Sequence, residues 1–590
     1  MVGYRAPLRD IEHALLTQSD LPALRELDRY GEVTPDVVSA VLGEAARFAE
    51  RVLGPLNEPG DRHGCRLENG VVHTAPGFAE AYRDFAQQGW QGVPADPELG
   101  GQGLPWSVAA AVQEMWYAAN MSFSLCSLLT QGAIDLLETH ASPTQRDRYL
   151  RPLIEGRWTG TMNMTEPNAG SDVGALTTRA VRDGDKWRIT GQKIFITYGE
   201  HDMAENIVHL VLARTPDAPP GSKGISLFIV PKFLLKSDGT PGARNDLRCI
   251  ALERKMGIHA SPTCVMSYGD DGGAIGELVG EVNQGMALMF TMMNNARLAV
   301  AIQGLGMGER AWQAAIAYAH QRRQGRATGI EGSAAIVHHP DVARMLMTIR
   351  SLVDAMRALI YFTAGAMDRA RALPAGTERD SAQALTDLLT PIAKAWCTDR
   401  ACEAADLGIQ VHGGMGFIEQ TGAAQIYRDV RITPIYEGTN GIQAIDLLGR
   451  KLCRGNGQTV SQLCDEMRRS LETLPSTGPA GVAPKLAVAS VDRLARASDS
   501  LVDVYRVNLR PVLAAATPYL RMFGTTIAAW RLVVTAFGGA DDDADRVRRQ
   551  ETALFFATRI LPETMTLAPQ IRHAIEAAPE MPVSLRVDPA

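Results

Sequence analysis

The sequence predicts a mostly α-helical protein with a small β domain in its middle and an added helical domain at its C-terminal end. Three observations carry that reading. Apolar residues recur at three- and four-residue spacing on both sides of the middle region. Between about residues 158 and 280 the texture changes to short alternating segments with turn signals. A Gly/Pro-rich break at residues 474–484 is followed by further amphipathic stretches.

The first helical region opens with Thr34-Pro35-Asp36, a cap followed by proline, and continues with Val37, Val38, Val41, Leu42, Ala45 and Phe48. Residues 94–105 interrupt it, and helical pattern resumes through Leu150. The alternating segments are residues 187–190, 193–197, 207–212 and 225–230. They are separated by Asp183-Gly184-Asp185, Pro219-Pro220-Gly221 and Asp238-Gly239. From Gly285 helices return, with residues 296–324 expected as one long helix and residues 325–339 as a polar loop. Beyond the 474–484 break, Leu520, Phe523, Ile527, Trp530 and Val534 form one apolar stripe, either a partner surface or a packed face. The expected domains are a lead segment (1–34), helices (35–157), a β domain (158–282), helices (283–455) and added helices (475–590).

The chain has 590 residues, 46% hydrophobic and 21% charged, with a net charge of −7. That is an ordinary globular composition of about three to five domains. It shows no basic face of the kind nucleic acid requires. No window of about 18 uninterrupted apolar residues is present, so no membrane span is expected. The start, residues 1–10, has no apolar signal core, and the expected location is cytoplasmic. The eight cysteines are scattered without a CxxC pair, so no metal site is expected.

Four segments carry chemistry. The first, residues 434–443, places Glu437 after an apolar approach and before Gly438-Thr439-Asn440-Gly441. A base that removes a weakly acidic C–H proton needs partial desolvation and close backbone approach to its substrate. The second runs from Met162 through Met164, Thr165, Glu166, Gly170 and Ser171 to Gly174, a small-residue loop able to clasp a flat cofactor or a phosphate. The third, residues 191–197, sets Phe195 and Thr197 two apart, on one face of a strand. The fourth, residues 409–417, has Gly413, Gly414 and Gly416 after an apolar helix, more glycine than a helix cap explains.

Together these segments and the domain order resemble the acyl-CoA dehydrogenase family, flavoenzymes that introduce an α,β double bond into acyl thioesters. The resemblance spans about residues 35–450. It rests on Met164-Thr165-Glu166-Pro167 with Gly170-Ser171-Asp172, Phe195-Ile196-Thr197, Gln410 with Gly413-Gly414, and Tyr436-Glu437-Gly438-Thr439. The lead segment and the region beyond about Gly455 resemble the family's long bacterial branch, which includes methylthiopropanoyl-CoA and broad fatty acyl-CoA dehydrogenases. The resemblance implies a helical N-domain, a β-barrel middle domain and a helical bundle, plus the added C-terminal domain.

It also implies roles. Glu437 takes the α-proton while the β-hydrogen leaves as hydride to N5 of FAD. The thioester oxygen is held by the Glu437 backbone N–H and a flavin hydroxyl. Met162, Met164, Thr165, Gly170, Ser171, Phe195, Ile196 and Thr197 line the flavin. Thr439 and Asn440, with Gly441, reach its phosphates. Arg322, Gln410, Gly413 and Gly414 complete the site of a neighbouring subunit, so a homodimer is expected. Ser171, Asn294, Arg297 and Gly438 touch the acyl-CoA. An electron-transfer flavoprotein takes the electrons.

The sequence departs from the family at the adenosine end. Arg322-Arg323-Gln324-Gly325 is one residue shorter than the usual pattern and lacks its Phe, Pro340 stands where Gln is frequent, and Gly441 replaces a Gln. Phe123 and Leu125 lie where the acyl tail runs in the family. They favour a short- to medium-chain or modified acyl group if they face the tail, and say nothing of it if they face the core. One alternative is an oxidase-like relative using O₂. Another is a flavin-bearing nucleic-acid-binding relative, which would need a basic added domain. The region after Gly455, with Asp541-Asp542-Asp543, is nearly balanced in charge.

Overall fold

Thr34 caps the first long helix by accepting from the Val37 N–H, with Pro35 in the first turn, where its missing N–H costs nothing. The computed structural model describes residues 3–538 and 545–576, so Asp541–Asp543 lies outside the described residues. The main elements follow in chain order. Helices α1 (Pro35–Phe48), α2 (Trp106–His140) and α3 (Pro143–Ile154) come first. Strands β1 (Trp158–Asn163), β2 (Arg179–Asp183), β3 (Lys186–Thr197), β4 (Asn206–Ala213), β5 (Ser226–Pro231), β6 (Leu247–Leu252), β7 (Thr263–Tyr268) and β8 (Ala274–Val279) follow. Then come α4 (Gly285–Gln321), α5 (Pro340–Ala372), α6 (Thr377–His412), α7 (Ala423–Val430) and α8 (Asn440–Asp446). The chain continues with α9 (Gln458–Glu472), α10 (Val482–Tyr505), α11 (Ala516–Gly538) and α12 (Glu563–Glu576). Two compact units result. The first holds residues 3–12, 25–314 and 413–432; the second holds 13–24, 315–412 and the described residues from 433 onward.

In the first unit, α2 is buried along almost its whole length. It bends at Asn120 (φ −157°, ψ 91°), where the side-chain oxygen of Asn120 accepts from the Phe123 N–H at 3.1 Å and so recaps the helix in mid-course. Ser142 and Gln145 form a capping box that starts α3. The eight-stranded sheet runs β6-β7-β3-β8-β5-β4-β1, with β2 paired to β3. Only β1 and β4 run parallel; every other pair in this sheet is antiparallel. Its core gathers Ile189, Ile196, Val211, Phe228, Cys264 and Met266.

Strand β3 unites two segments expected to be separate, and it contains a bulge. Cys264 pairs with Ile196 and Met266 with Lys193, so Ile194 and Phe195 together face Val265. Simple alternation, which put Phe195 and Thr197 on one face, therefore does not apply. Both still lie off the core, with Ile196 buried between them.

Helix α4 begins at Gly285 and ends at Gln321, not at 296 and 324 as the apolar spacing suggested. It stops because the chain folds back. The Gln324 N–H donates to the Ala334 carbonyl at 2.9 Å and the Ala334 N–H to the Gly325 carbonyl at 3.0 Å. The expected polar loop is thus pinned at its base, with Arg323 and Ala335 paired antiparallel.

In the second unit, α5 and α6 pack along each other, and α11 packs against α5, α6, α8, α10 and α12. The stripe of α11 is a packed face: Leu520, Phe523, Ile527 and Trp530 are buried. Trp530 donates its indole N–H to Ser470 Oγ at 2.7 Å, and Trp396 of α6 donates to Thr525 Oγ1 at 2.9 Å. Among the described residues no helix is long and apolar enough to cross a membrane, and no cluster of His, Cys, Asp and Glu could hold a metal. All eight cysteines are free thiols.

Gly524 is a close approach between α11 and α6, since a Cβ there would overlap the Trp396 ring. Gly524→Ala is expected to cost about 1–3 kcal/mol through overpacking. A thermal melt of the variant against the native protein measures it.

Candidate active site

The loop after β1 is tied in a knot by one carboxylate. Glu166 and Ala169 exchange backbone hydrogen bonds of 3.2 and 3.0 Å. The Glu166 side chain accepts from the Thr177 N–H (2.6 Å) and hydroxyl (2.7 Å) and from the Thr178 N–H (3.0 Å) and hydroxyl (2.5 Å). It also accepts from the Lys193 ammonium at 2.8 Å. Lys193 is wholly buried and donates a second bond to the Met164 carbonyl at 3.0 Å. Burial pushes the Glu166 carboxyl up, but Lys193 and the threonine donors outweigh it and hold it at about 2. Burial lowers the Lys193 ammonium to about 8, against the pull of Glu166.

This knot sets the two expected flavin segments side by side. The Ile194 N–H donates to the Thr165 carbonyl at 2.9 Å, and the Thr161 hydroxyl to the Thr197 carbonyl at 2.8 Å. Phe195 has left-handed backbone (φ 60°) and is 58% exposed. An aromatic ring held out of the core at an energetic cost is available to stack on a flat group. Met162 and Thr165 are half-buried, Met164 is buried, and Gly170 and Ser171 are exposed. The Ile196 side chain belongs to the sheet core, which leaves its backbone to face a cofactor.

Elsewhere in the first unit, Asn294 is exposed on α4. Arg297 is only 4% exposed; it donates to Asn294 Oδ1 at 3.4 Å and lies over the Phe290 ring. Among the described residues, none beyond the immediate chain neighbours lies within 4 Å of a Cβ built at Gly413 or Gly414, and Met415, Phe417 and Ile418 beside them are exposed. Phe123 packs against Phe78, Tyr82 and Phe85 at 5.6, 6.4 and 6.2 Å. It is a core residue of an aromatic cluster and gives no support to a shortened acyl pocket.

In the second unit, Glu437 is half-buried on a loop where it and Gly438 are both left-handed, at φ 57° and 83°. Left-handed backbone is costly for a residue with a Cβ, so it must be held. The Gln443 amide donates to the Glu437 carbonyl at 3.0 Å and the Gly438 carbonyl at 3.3 Å. Lys394 of α6, wholly buried, donates to the Gly438 carbonyl at 2.9 Å. A Cβ at residue 438 would come within 2.8 Å of the Gln443 amide nitrogen, so Gly438 is needed there. Thr439 caps α8 through the Ile442 N–H.

Asn440 is engaged within the chain. Its side-chain oxygen accepts from Lys394 at 2.9 Å; its amide donates to the Ala395 carbonyl (3.1 Å), Thr398 Oγ1 (3.0 Å) and Asp399 Oδ1 (2.7 Å). The backbone N–H of Asn440 donates to the Pro434 carbonyl at 3.0 Å. A side chain engaged in this way anchors the loop to α6. Arg322 and Gln410 are exposed at the ends of α4 and α6. Sequence reasoning missed Lys394 and Gln443. Lys394 had a signal, as the one charge in the apolar run from Pro391 to Cys397.

Comparison with known proteins bears on this arrangement. Models of the acyl-CoA dehydrogenase N-terminal, middle and C-terminal domains match residues 37–157, 161–270 and 283–452. A model described as acetyl-CoA dehydrogenase C-terminal like matches residues 463–582. The chain belongs to the acyl-CoA dehydrogenase family, oxidoreductases that act on CH–CH bonds. It is 45% identical to a 3-methylmercaptopropionyl-CoA dehydrogenase of Ruegeria pomeroyi, over 95% of this chain and 96% of that one. It is 32% identical to a broad-specificity linear acyl-CoA dehydrogenase of Mycobacterium tuberculosis, again over 95% and 96%. Its fold is similar to that of a solved Bacillus anthracis acyl-CoA dehydrogenase complexed with FAD, with a TM-score of 0.76 and 20% identity over 92% of this chain and 90% of that one.

The Glu166 knot predicts an acid response. A carboxyl depressed in the folded state stabilises above its ordinary value of 4.5, and that contribution is lost as pH falls toward about 2. Glu166→Gln is expected to flatten that part of an acid-unfolding curve followed by circular dichroism. Lys193→Met, which strands a buried carboxylate, is expected to cost roughly 3–5 kcal/mol at neutral pH, read from denaturant unfolding.

Proposed function

We propose that this chain catalyses the FAD-dependent α,β-dehydrogenation of an acyl-CoA thioester, with Glu437 as the base. The observation that carries the reading is the Glu437 turn: a half-buried glutamate on left-handed backbone, with its own carbonyl and that of Gly438 held by Gln443 and Lys394. The residues fit a flavin, because Phe195 is exposed on strained backbone and Thr165 and Thr197 are laced beside it. When bound, FAD supplies the two-electron acceptor for the β-hydrogen.

The chain's own residues do the rest. Glu437 takes the α-proton, and the electrons of that C–H bond become the new double bond as the β-hydrogen leaves with its pair. The Glu437 backbone N–H is assigned to the thioester oxygen, where negative charge develops. Arg297, Asn294, Ser171 and Gly438 are assigned to the acyl-CoA. Phe195, Thr165 and Thr197 would hold the flavin ring and shield it from water.

The acyl group is inferred to be short- to medium-chain or modified, on the 45% identity to a 3-methylmercaptopropionyl-CoA dehydrogenase. An electron-transfer flavoprotein is the inferred acceptor. A 29% identical relative is a subunit of the caffeyl-CoA reductase–Etf complex of Acetobacterium woodii. The exposed Met415, Phe417 and Ile418 beside Gly413 and Gly414 support a homodimer contact, with Arg322 and Gln410 assigned to the second copy's flavin.

Purified protein is expected to be yellow and to reduce an artificial acceptor with acyl-CoA. Glu437→Gln should keep its flavin and lose roughly 10²–10⁴-fold in kcat. A colourless protein, or a fully active Glu437→Gln, would refute the reading. In a chain-length series, short and methylthio-substituted acyl-CoAs should show the highest kcat/KM. Peroxide formed in step with substrate loss would show instead that O₂ is the acceptor.

A further inference from the structure

Lys394 stands out among the buried charges because it reaches the backbone of the Glu437 turn. Its ammonium sits in the apolar middle of α6 and donates to two groups of the turn, the Gly438 carbonyl and Asn440 Oδ1, each at 2.9 Å. Asn440 is held from its other side by Thr398 and Asp399 of the same helix. Gln443 grips the Glu437 and Gly438 carbonyls from α8. The turn is therefore bound on both flanks, from α6 by Lys394 and Asn440 and from α8 by Gln443.

We infer that Lys394, Asn440 and Gln443 are positioning residues of the dehydrogenation: they hold Glu437 in its left-handed conformation and so fix where its carboxylate stands. This rests on the reading of Glu437 as the base. A residue with a Cβ leaves the left-handed region readily unless its peptide planes are fixed. Hydrogen bonds to a charged donor are about twice as strong as neutral ones, and here they act on the carbonyl next to the base. A displacement of about 1 Å at a reacting group costs on the order of 10²-fold in rate. Removing the clamp should therefore reach kcat before it reaches affinity. The clamp also gives Asn440 a role different from a phosphate contact.

The test compares Lys394→Met, Gln443→Met, Asn440→Ala and the Lys394→Met/Asn440→Ala double variant with Glu437→Gln, all in the full-length, flavin-loaded protein. Four quantities are read. They are kcat, KM for an acyl-CoA, flavin content, and exchange of the substrate's α-hydrogens with D₂O in an analogue that cannot release a β-hydride. The single variants are expected to lose roughly 10–100-fold in kcat and in α-exchange, with KM and flavin content close to native. The double variant should lose less than the product of the two single losses, because both residues hold one turn. Gln443→Met keeps the question open to refutation if Lys394→Met does not fold.

Native kcat and exchange in Lys394→Met and Gln443→Met, alongside an inactive Glu437→Gln, would overturn the clamp and leave the base assignment standing. So would a loss confined to flavin content and KM. Activity retained by Glu437→Gln would overturn the base assignment itself, and the clamp with it.

Discussion

A buried lysine that donates to a loop carbonyl organises each of the two candidate site loops of this protein. In the first unit Lys193 holds the Met164 carbonyl and the Glu166 carboxylate. In the second, Lys394 holds the Gly438 carbonyl and the Asn440 side chain. Each lysine projects from a regular element, a strand in one case and a helix in the other, so a rigid scaffold fixes an irregular loop. A buried ammonium is costly to desolvate and is tolerated where its donors are used. Here each spends donors on main chain and on a polar side chain of the same loop, which ties the loop in two directions.

The two loops differ in how they use that anchor. Around Glu166 the acid itself is consumed, with four donors from Thr177 and Thr178 besides Lys193. Its carboxyl stays low and ionised and is structural. Around Glu437 the anchors take the carbonyls of the turn, and an adjacent asparagine takes the lysine. Both glutamates lie shortly before glycines, Gly170 and Gly174 in one case and Gly438 and Gly441 in the other. Which one is a structural tie and which a base candidate depends on what their neighbours donate to.

Helix α6 links the second loop to the added C-terminal region. Lys394 and Trp396 stand two positions apart, so they leave the helix on different faces. Lys394 serves the Glu437 turn, while Trp396 is received by α11 through Thr525 and the close approach at Gly524. The apolar stripe of α11 is filled by this packing and does not present itself as a partner surface. The added helices thus brace the helix that carries Lys394.

The local sequence determined a good deal. Apolar periodicity placed the helices, alternation placed β3, β4 and β5, and the segments around Thr165, Phe195, Gly413 and Glu437 carried the family resemblance. These are short-range properties, written in adjacent residues. Tertiary structure decided what depends on residues distant in the chain. A bulge opposite Val265 turned Phe195 out to solvent and left Ile196 in the core. A fold-back at Gln324 ended α4 early. Phe123 went to an aromatic cluster, and Asn440 went to Lys394. In each case the side chain's type was legible and its partner was not. A hydrogen bond or packing contact is chosen by three-dimensional proximity, which the spacing of residues along the chain does not contain.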